Sequence, residues 1–538
     1  MRVLLVNPAF PVTYWSLDHM LPFVGKSWLV PPLSLITLAA LLPQHWEFRL
    51  IDLEVEPLRD QDILAADVVM LSGMLVQRES LHEILARCKR LNVPTVVGGP
   101  YATSTPDELP EATHLFLGEA EGRIDEFAAD LEAGRARRLY REDGKPDLAT
   151  SPVPRFDLLR PDAYHYWALQ YSRGCPFTCE FCDITVLYGR RPRTKSAEQV
   201  IAELEAIRGA GFSGRVMFVD DNFIGDKKAV KRFLPELAAW RNRTRAPLDF
   251  FTEASIDLAE DPELVSAMTA AGFAVVFIGI ESPSKESLLE TRKNQNLRRD
   301  MIEQLRSLRS LGLDVWGGFI LGFDHDGPDI FERMIEFVER SGIAYATVGM
   351  LMALPNTPLY KRLEREGRLR PDPPTGDNLA FSNVVMKLPA PQMIEGYLHV
   401  VETLYEPERY FARCREHLRY WQPPGGLTVP ISARDLLVVA RSIWVQGVRG
   451  PYRRAYWRFL AWVLRKHPGK IALAFAQACA GHHFITYTRE TVAANLRKQL
   501  ALLEEFPAPE QRPLLLAREP RGPEPRAAEA VLRESDVA

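Results

Sequence analysis

Three cysteines, Cys175, Cys179 and Cys182, stand within one short segment in the spacing Cys-x3-Cys-x2-Cys. Thiolates in this pattern can bind three irons of a four-iron, four-sulfur cluster and leave the fourth iron open to a small molecule. Phe181 directly precedes the last cysteine and can shield one side of such a cluster. The alternative is a structural zinc site, which needs a fourth ligand and usually shows paired Cys-x2-Cys knuckles. The sequence contains no second knuckle, so the spacing favours the cluster.

The composition is typical of a soluble globular chain. Of 538 residues, 46% are hydrophobic and 25% are charged, and the net charge of -4 gives no reason to expect a nucleic acid partner. No apolar run reaches the ~18–20 residues that span a bilayer. The first residues lead straight into a strand-like segment, which argues against a signal peptide. Six cysteines, three of them in the motif, fit a reducing cytoplasm, and the length predicts two or three domains.

Residues 1–140 alternate short apolar runs with helical patterns, which predicts an α/β domain with a parallel sheet and helices on both faces. We expect strands at 3–6, 48–51, 68–71, 95–97 and 115–117, and helices at 31–42, 79–90 and 122–131. Ligands of such sheets bind at the carboxyl ends of the strands. The residues that we expect to face a ligand there are Ser72, Gly73, Met74, Leu75, Gly98, Gly99, Pro100, Gly118 and Glu119. No Gly-x-Gly-x-x-Gly follows the first strand, which disfavours a dinucleotide.

Residues 141–166 are polar and rich in proline, and predict a linker. A second alternation of strands and helices occupies 167–360, with strands expected at 168–172, 215–219, 248–253, 275–280, 315–321 and 346–353. Six such units predict an open (β/α)6 barrel with its chemistry on the carboxyl-end loops, and the cysteines follow its first strand. We expect a helical C-terminal region at 361–505 and a disordered tail at 506–538.

The linked order of these motifs resembles the cobalamin-binding radical S-adenosylmethionine (SAM) enzymes over roughly residues 1–420. In that family the cysteines bind a [4Fe-4S] cluster that chelates SAM, and a Rossmann-like N-terminal domain covers one face of the corrin. Residues 98–103 match the glycine-rich strand end of that domain, and residues 117–122 match its second loop. Residues 181–190, 219–225 and 351–358 look closest to the branch that contains the hopanoid C-2 methylases.

The resemblance also implies SAM contacts in the barrel. Residues 218–225 stand where the family's Gly-Gly-Glu motif meets the amino group of SAM, although the glycines are replaced here. Asp220 and Asp221 would accept hydrogen bonds from that ammonium, or serve as caps; Asn222 would cap the next helix. The residues assigned to SAM by this resemblance are Phe181, Asp220, Asp221, Asn222, Glu253, Glu281, Ser282, Gly318, Ile320 and Gly322. Of these, Glu281 and Ser282 would reach the ribose hydroxyls.

The resemblance adds cobalamin as the third cofactor. The Asp-x-His-x-x-Gly signature of cobalamin mutases is absent, so no lower axial histidine is expected. The loop at 72–77 would lie beneath the cobalt, where it offers Met74, Leu75 and Gln77, none of them a strong cobalt ligand. The family resemblance implies a methyltransferase of the class B type that acts on an unactivated carbon. A cobalamin-dependent cyclisation or rearrangement stays open, as does an N-terminal docking module without corrin.

The segment at 431–470 is basic and aromatic. It carries nine Arg or Lys residues against one acid, Asp435, and the interleaved aromatic residues are Trp444, Tyr452, Tyr456, Trp457 and Trp462. Such helices suit a membrane headgroup region or a lid over an apolar substrate, and docking on the acidic remainder of the protein is the equal alternative. We therefore expect a hydrophobic small-molecule or lipid substrate. The family resemblance implies an electron donor such as flavodoxin or ferredoxin. We also expect a cytoplasmic enzyme that is able to associate peripherally with the inner face of the membrane.

Overall fold

The computed structural model describes residues 1–371, 382–423 and 433–505. The tail at 506–538, for which we expect disorder, lies outside these ranges. Within them, no helix has both the length and the apolar character that crossing a bilayer requires.

A six-stranded parallel sheet in the order β2-β1-β3-β4-β5-β6 forms the N-terminal domain. Its strands are β1 Arg2–Asn7, β2 Glu47–Asp52, β3 Val68–Ser72, β4 Thr95–Gly98, β5 His114–Leu117 and β6 Leu139–Arg141. Side chains alternate between its two faces, so that Val3 and Leu5 enter one apolar cluster while Leu4 and Val6 enter the other. The sixth strand, β6, is not predicted because three residues between charged neighbours carry no periodic signal.

Helices cover both faces of this sheet. They are α2 Leu33–Leu41 and α6 Ile124–Glu132 on one face, and α3 Asp60–Leu64, α4 Arg78–Arg90 and α5 Gly99–Ser104 on the other. The short helix α1 Leu21–Val24 packs instead in the core of the barrel and the C-terminal helices. Residues 142–165 contain only two short 3₁₀ turns, at 148–150 and 156–158, before the second sheet begins. The Rossmann-like architecture expected for this part of the chain is confirmed.

The second sheet is an open parallel barrel of six strands in the order β14-β13-β12-β11-β10-β7. Its strands are β7 Tyr166–Leu169, β10 Gly214–Phe218, β11 Leu248–Ala254, β12 Phe273–Glu281, β13 Asp314–Leu321 and β14 Ala346–Met350. Between β7 and β10, the two-residue strands β8 Ser172–Arg173 and β9 Arg193–Thr194 pair antiparallel. This ladder closes residues 174–192, including the three cysteines, into one loop.

The helices that accompany the barrel strands are α7 Ile184–Leu187, α8 Ala197–Gly209, α9 Lys227–Thr244, α10 Pro262–Ala271, α11 Lys285–Glu290, α12 Met301–Ser310 and α13 Ile330–Ser341. Strand β7 ends at Leu169, three residues earlier than the sequence predicts. The backbone amides of Tyr171 and Ser172 bond to the Asp220 carboxylate instead of a neighbouring strand, which ends β7.

The C-terminal region is helical, as expected, with α14 Pro358–Arg365, α15 Ala390–Leu404, α16 Pro407–Tyr420, α17 Ala433–Ser442, α18 Arg453–Lys466, α19 Ile471–Tyr487 and α20 Ala493–Glu505. These helices share one core with the barrel, where the Tyr405 and Phe484 rings stack at 5.2 Å. They also hold the segment between β1 and α1, because Tyr487 Oη donates to the Val12 carbonyl (2.7 Å) and His483 Nε2 donates to the Thr13 carbonyl (3.0 Å).

Candidate functional site

The buried carboxylate of Asp220, two residues after β10, holds the chain that leads into the cysteine loop. Asp220 accepts hydrogen bonds from the backbone amides of Tyr171 (2.8 Å) and Ser172 (2.9 Å) and from Ser172 Oγ (2.7 Å). Its side chain is 1% exposed and offers no surface to a ligand. These bonds shape the loop and cap no helix, and the assignment of Asp220 to SAM stays a prediction that this burial disfavours. Asp221, next in the chain, accepts from the Gly174 amide at 2.8 Å.

Two amide side chains approach the cysteine sulfurs. Asn222 Nδ2 lies 3.8 Å from Cys175 Sγ, and Gln295 Nε2 lies 3.8 Å from Cys179 Sγ. Donors in these positions stabilise thiolates and tune a bound cluster. Asn222 does not cap the following helix, contrary to the sequence prediction, because Asp226 accepts from the Ala229 amide and caps α9.

The loop fits a cluster better than a single ion. Within residues 1–371, 382–423 and 433–505, no three His, Cys, Asp or Glu side chains converge at the distances of one metal ion. The thiolates of a four-iron cluster each bind a different iron, so their sulfurs need not converge in this way. Gln295 Oε1 and Asn296 Oδ1 are buried nearby without a hydrogen-bond partner among the described residues. Buried polar atoms normally have a hydrogen-bond partner, so these two oxygens are available to accept a hydrogen bond from a bound group.

A buried cation that the sequence analysis missed stands beside the loop. Lys293 Nζ lies 2.7 Å from Glu281 Oε1 and 5.9 Å from the centroid of the Phe181 ring. Burial lowers the pKa of Lys293, but Glu281 and the thiols of Cys179 and Cys182 outweigh it, so the pKa rises and the ammonium stays charged. In the sequence, Lys293 is one polar residue in a polar loop, and nothing marks it as part of the site.

Glu281 ends β12 in an unusual backbone conformation. Its φ of +65° follows a bulge at which the ladder with β13 shifts register. Such a backbone is costly for a residue with a side chain, and it turns the carboxylate toward Lys293. One of its oxygens is therefore already committed to an ion pair, so a ribose contact, as predicted, would fall to the other.

Glu253 is the carboxylate most available to a ligand. It is the penultimate residue of β11, is partly buried, and makes no side-chain hydrogen bond with any described residue. Burial, together with repulsion from Asp221 and Asp220, raises the pKa of Glu253 to about 7. Burial likewise raises the pKa of Asp221 to about 6, although the Gly174 amide and Arg173 oppose it. Crowded, half-desolvated carboxylates of this kind are stabilised by an incoming ammonium. Their assignment to the amino group of SAM stays a prediction that this geometry favours.

The remaining predicted SAM residues differ in accessibility. Ser282 is fully buried and its Oγ accepts from the Ser284 amide (3.1 Å) within the turn, so its ribose contact stays a prediction that this burial disfavours. Gly318 packs against the Phe277 ring, where an added Cβ would lie 2.7 Å away, and Gly322 has a φ of +104°. Ile320 joins Phe181 in a small apolar cluster. Contacts of Gly318, Ile320 and Gly322 with SAM stay predictions.

The carboxyl edge of the N-terminal sheet brings two predicted cobalamin loops together. Gly99 has a φ of +87°, and a Cβ there would lie 2.6 Å from Ser72 Oγ. The Tyr101 amide donates to the Gly73 carbonyl at 3.0 Å. Only glycine fits such a close backbone approach, and the result is a flat surface suited to a large ring. The cobalamin assignments of Ser72, Gly73, Gly98, Gly99 and Pro100 stay predictions.

The loop after β3 presents Met74 and withdraws Gln77. Met74 is 53% exposed, and Leu75 is partly buried against the core of the sheet. Gln77 is 2% exposed, and its Nε2 donates to Asn7 Oδ1 (3.2 Å) and the Pro8 carbonyl (2.6 Å). Of the three side chains that the sequence places beneath the cobalt, Gln77 is therefore the one whose side chain is turned into the protein.

Glu119 joins the N-terminal domain to the two-stranded ladder β8–β9 that closes the cysteine loop. Its carboxylate is buried and accepts from Arg173 Nη1 (2.8 Å) on β8 and Arg193 Nη2 (2.8 Å) on β9. A second link runs from Asn356 Nδ2 to the Ser104 carbonyl (2.9 Å). Both links hold the predicted corrin edge beside the cysteine loop, the arrangement needed for two cofactors to share a substrate. The Glu119 side chain is occupied by these ion pairs and its amide donates to Glu142 Oε2 (2.8 Å), so its predicted cobalamin contact would fall to its carbonyl. Gly118, with a φ of +92°, precedes it.

Three family models match consecutive parts of the chain. The B12 binding domain covers residues 29–128, the radical SAM superfamily covers 169–338, and a domain of unknown function covers 357–496. An uncharacterised methyltransferase of Synechocystis is 40% identical over 93% of this chain and 94% of its own length. The hopanoid C-2 methylase of Rhodopseudomonas palustris is 34% identical over 91% of this chain and 94% of its own length.

Solved structures give the same architecture. The cobalamin-dependent SAM radical enzyme OxsB covers 93% of this chain with a TM-score of 0.58 and 16% identity, over 81% of its own chain. The radical SAM methyltransferase TsrM covers 69% with a TM-score of 0.54 and 17% identity, over 77% of its own chain. The cofactor set expected from the sequence, a [4Fe-4S] cluster, SAM and cobalamin, is confirmed at the level of the family. The chain belongs to the cobalamin-dependent radical SAM methyltransferases.

Proposed function

We propose that this enzyme methylates an unactivated carbon of a hydrophobic lipid of the hopanoid type. The observation that carries the proposal is the 34% identity to a hopanoid C-2 methylase over 91% of the chain. The match to the B12 binding domain ends at residue 128 and the match to the radical SAM superfamily ends at residue 338. The similarity to the hopanoid C-2 methylase covers 91% of the chain and therefore continues into the C-terminal helices. Cofactor binding alone does not account for similarity in those helices. We therefore infer that this protein and the hopanoid C-2 methylase share a class of substrate.

Apolar side chains on the inner face of the barrel support a hydrophobic substrate. Along β12, Phe277 and Gly279 point to one side because side chains alternate, and the Glu281 carboxylate reaches the same side across the bulge, where a Cβ at Gly279 would clash with it. Glu281 meets Lys293 near the cysteines, so Phe277 lies deeper on the same face. Trp15, from the segment after β1, places its ring edge-on to Phe277 at 4.6 Å and is still 44% exposed. Together they offer aromatic surface close to the site.

The protein and its cofactors have separate tasks. When bound, the cluster and SAM supply hydrogen abstraction and cobalamin supplies the methyl group. The chain holds the cysteine loop through Asp220 and Asp221, fixes the corrin edge through Glu119, and excludes water with the aromatic residues. No protein acid or base is required for the abstraction itself.

The proposal includes an acidic electron donor of the flavodoxin or ferredoxin type. A groove of about 1100 Å³ beside the cysteine loop is lined by more cations than acids, including the exposed Arg190, Arg191 and Lys228. Its wall at 188–192 packs directly on Gly174, where an added Cβ would lie 2.9 Å from the Arg191 carbonyl. Charge complementarity at this short separation suits a transient redox encounter.

Deletion of the gene in its native host tests the substrate class. We expect the lipid extract to lose one species and to accumulate its precursor, lighter by one methylene, with rescue by the wild-type gene but not by Cys182→Ala. An unchanged lipid profile together with a changed water-soluble metabolite would overturn the lipid assignment. Because a membrane lipid is met at the bilayer, we also propose that the enzyme works peripherally at the inner face of the membrane.

A further inference from the structure

The C-terminal helices expose a group of large apolar side chains that the site does not use. On α17, on the π-helical turn Ile443–Arg449 and on α18, the exposed residues are Leu436 (62%), Leu437 (48%), Trp444 (52%), Val448 (47%), Trp457 (44%) and Leu464 (58%). We call this set the apolar face. Tyr452 and Tyr456, which the sequence analysis counted with the surface aromatics, are buried instead.

The apolar face is continuous. On α18, Trp457, Ala461 and Leu464 follow the spacing of one helix side and are all exposed. On the neighbouring element, Ala440, Trp444 and Val448 follow at intervals of four and are also exposed. Trp457 Nε1 donates to the Gly447 carbonyl (2.9 Å), and a Cβ at Gly447 would lie 2.9 Å from the Trp457 ring. This contact places the two stripes side by side.

Positive charge surrounds the apolar face. From residue 436 to residue 489 the sequence contains no Asp or Glu. Exposed cations border the apolar side chains on α18 and on the preceding turn: Arg449, Arg453, Arg454, Arg465 and Lys466. The Arg449 guanidinium lies over the Trp444 ring at 5.0 Å. The large side chains and the cations thus occupy one surface, the composition of an interfacial helix pair.

The apolar face is tied to the segment that lines the barrel. Arg441 Nη1 donates to the carbonyls of Pro22 (3.2 Å) and Phe23 (3.1 Å) at α1. Eight residues before Phe23, Trp15 contacts Phe277 on the inner face of the barrel. A short stretch of chain therefore connects the apolar face with the proposed substrate site.

We infer that the apolar face docks on an anionic phospholipid bilayer, with its Trp and Leu side chains at the headgroup boundary and its cations on lipid phosphates. Charge complementarity selects this occupant, because an uncharged lid partner or an apolar second copy would not account for the basic border. The inference rests on the proposed function, since it supplies the surface on which a membrane-resident substrate is met. It goes beyond that function by assigning the surface and the lipid charge.

Co-sedimentation of the reconstituted full chain with vesicles tests the inference. We expect at least about tenfold stronger partition into vesicles of phosphatidylglycerol and phosphatidylcholine than into phosphatidylcholine alone, with the difference lost in high salt. Leu436→Glu with Leu464→Glu should lower partition about tenfold or more. Leu64→Glu on α3, at a position equally exposed (58%), is the matched control and should bind as the wild type does.

Other outcomes separate the inference from the proposed function. Methylation of detergent-dispersed lipid by the double variant, at the wild-type rate, is expected and shows that the variant is folded and that only docking is lost. Equal partition of the double variant and the wild type would overturn the inference even if methylation is intact. A shift from dimer to monomer in the double variant, with unchanged vesicle binding, would assign the apolar face to a second copy and overturn it too. Vesicle binding without any lipid product would leave docking standing and contradict the substrate.

Discussion

Arg362 on α14 forms a two-point ion pair with Glu180, the residue between Cys179 and Phe181. The distances are 2.8 Å from Nε to Oε1 and 3.1 Å from Nη2 to Oε2. The Glu180 backbone is held as well, because its amide donates to the Thr291 carbonyl and its carbonyl accepts from the Leu359 amide, both at 3.0 Å. The first helix of the C-terminal region therefore clamps the loop that carries the cysteines.

Replacement of Arg362 by alanine should weaken this clamp. Arg362 Nη1 also donates to Asp324 at 2.9 Å, so the variant leaves the buried Glu180 without its arginine and leaves Asp324 with Arg368 as its remaining arginine. We expect a loss of about 1–3 kcal/mol in the free energy of unfolding and a lower iron content after desalting. Arg365→Ala on the same helix, an exposed position, is the control and should keep both. Full iron retention in Arg362→Ala would show that the clamp does not hold the cluster loop.

The pH dependence of SAM binding should follow Glu253. Since its pKa is raised to about 7, the carboxylate is mostly charged at pH 8 and mostly neutral at pH 6. An ammonium binds the charged form, so SAM affinity should fall as the pH decreases through 7, by about tenfold to a hundredfold for loss of one charge-assisted hydrogen bond. Titration calorimetry on the reconstituted enzyme without reductant measures this. Glu253→Gln should bind weakly at both pH values; a variant that keeps the wild-type pH profile would remove Glu253 from the SAM site.

The Glu119 ion pairs should carry the coupling between the two sheets. Glu119→Gln leaves the largely buried Arg193 without a carboxylate and leaves Arg173 with Glu121 alone, and breaking a buried pair of this kind costs about 3–5 kcal/mol. We expect chemical unfolding of the full chain to change from one transition to two. Glu126→Gln, which removes exposed ion pairs, should change stability by less than about 1 kcal/mol. A single unchanged transition in Glu119→Gln would assign the coupling to other contacts.

Gly99→Ala should impair cobalamin binding. The added Cβ meets Ser72 Oγ at 2.6 Å and the φ of +87° disfavours alanine, so the two loops must separate. We expect about 1–3 kcal/mol of destabilisation and loss of corrin absorbance on desalting. Gly209→Ala on α8 of the barrel, where nothing lies within 4 Å of the new Cβ, should retain corrin. Equal corrin retention in both variants would place the ring elsewhere on the N-terminal domain.

The sequence predicts the architecture because the strands are buried, regular and long enough to show a period. Site details depend on contacts that no local pattern encodes. Lys293, Gln295 and Arg362 are ordinary polar residues until the fold brings them to the cysteine loop. Asp220 and Asp221 show the same limit: adjacent carboxylates at one strand end have different tasks, and only burial separates them. Motif matching found the cysteines because their chemistry depends on spacing along the chain.

Transfer of a labelled methyl group from SAM to a lipid is the decisive test of the proposed methyltransferase activity. Enzyme reconstituted anaerobically with iron, sulfide and hydroxocobalamin would receive methyl-deuterated SAM, reductant and a lipid extract of the native host, with products followed by mass spectrometry. If the enzyme methylates a lipid, we expect a lipid that gains the labelled methyl, with 5′-deoxyadenosine and S-adenosylhomocysteine formed in equal amounts. Formation of 5′-deoxyadenosine without S-adenosylhomocysteine or labelled lipid would contradict it and favour a rearrangement or cyclisation.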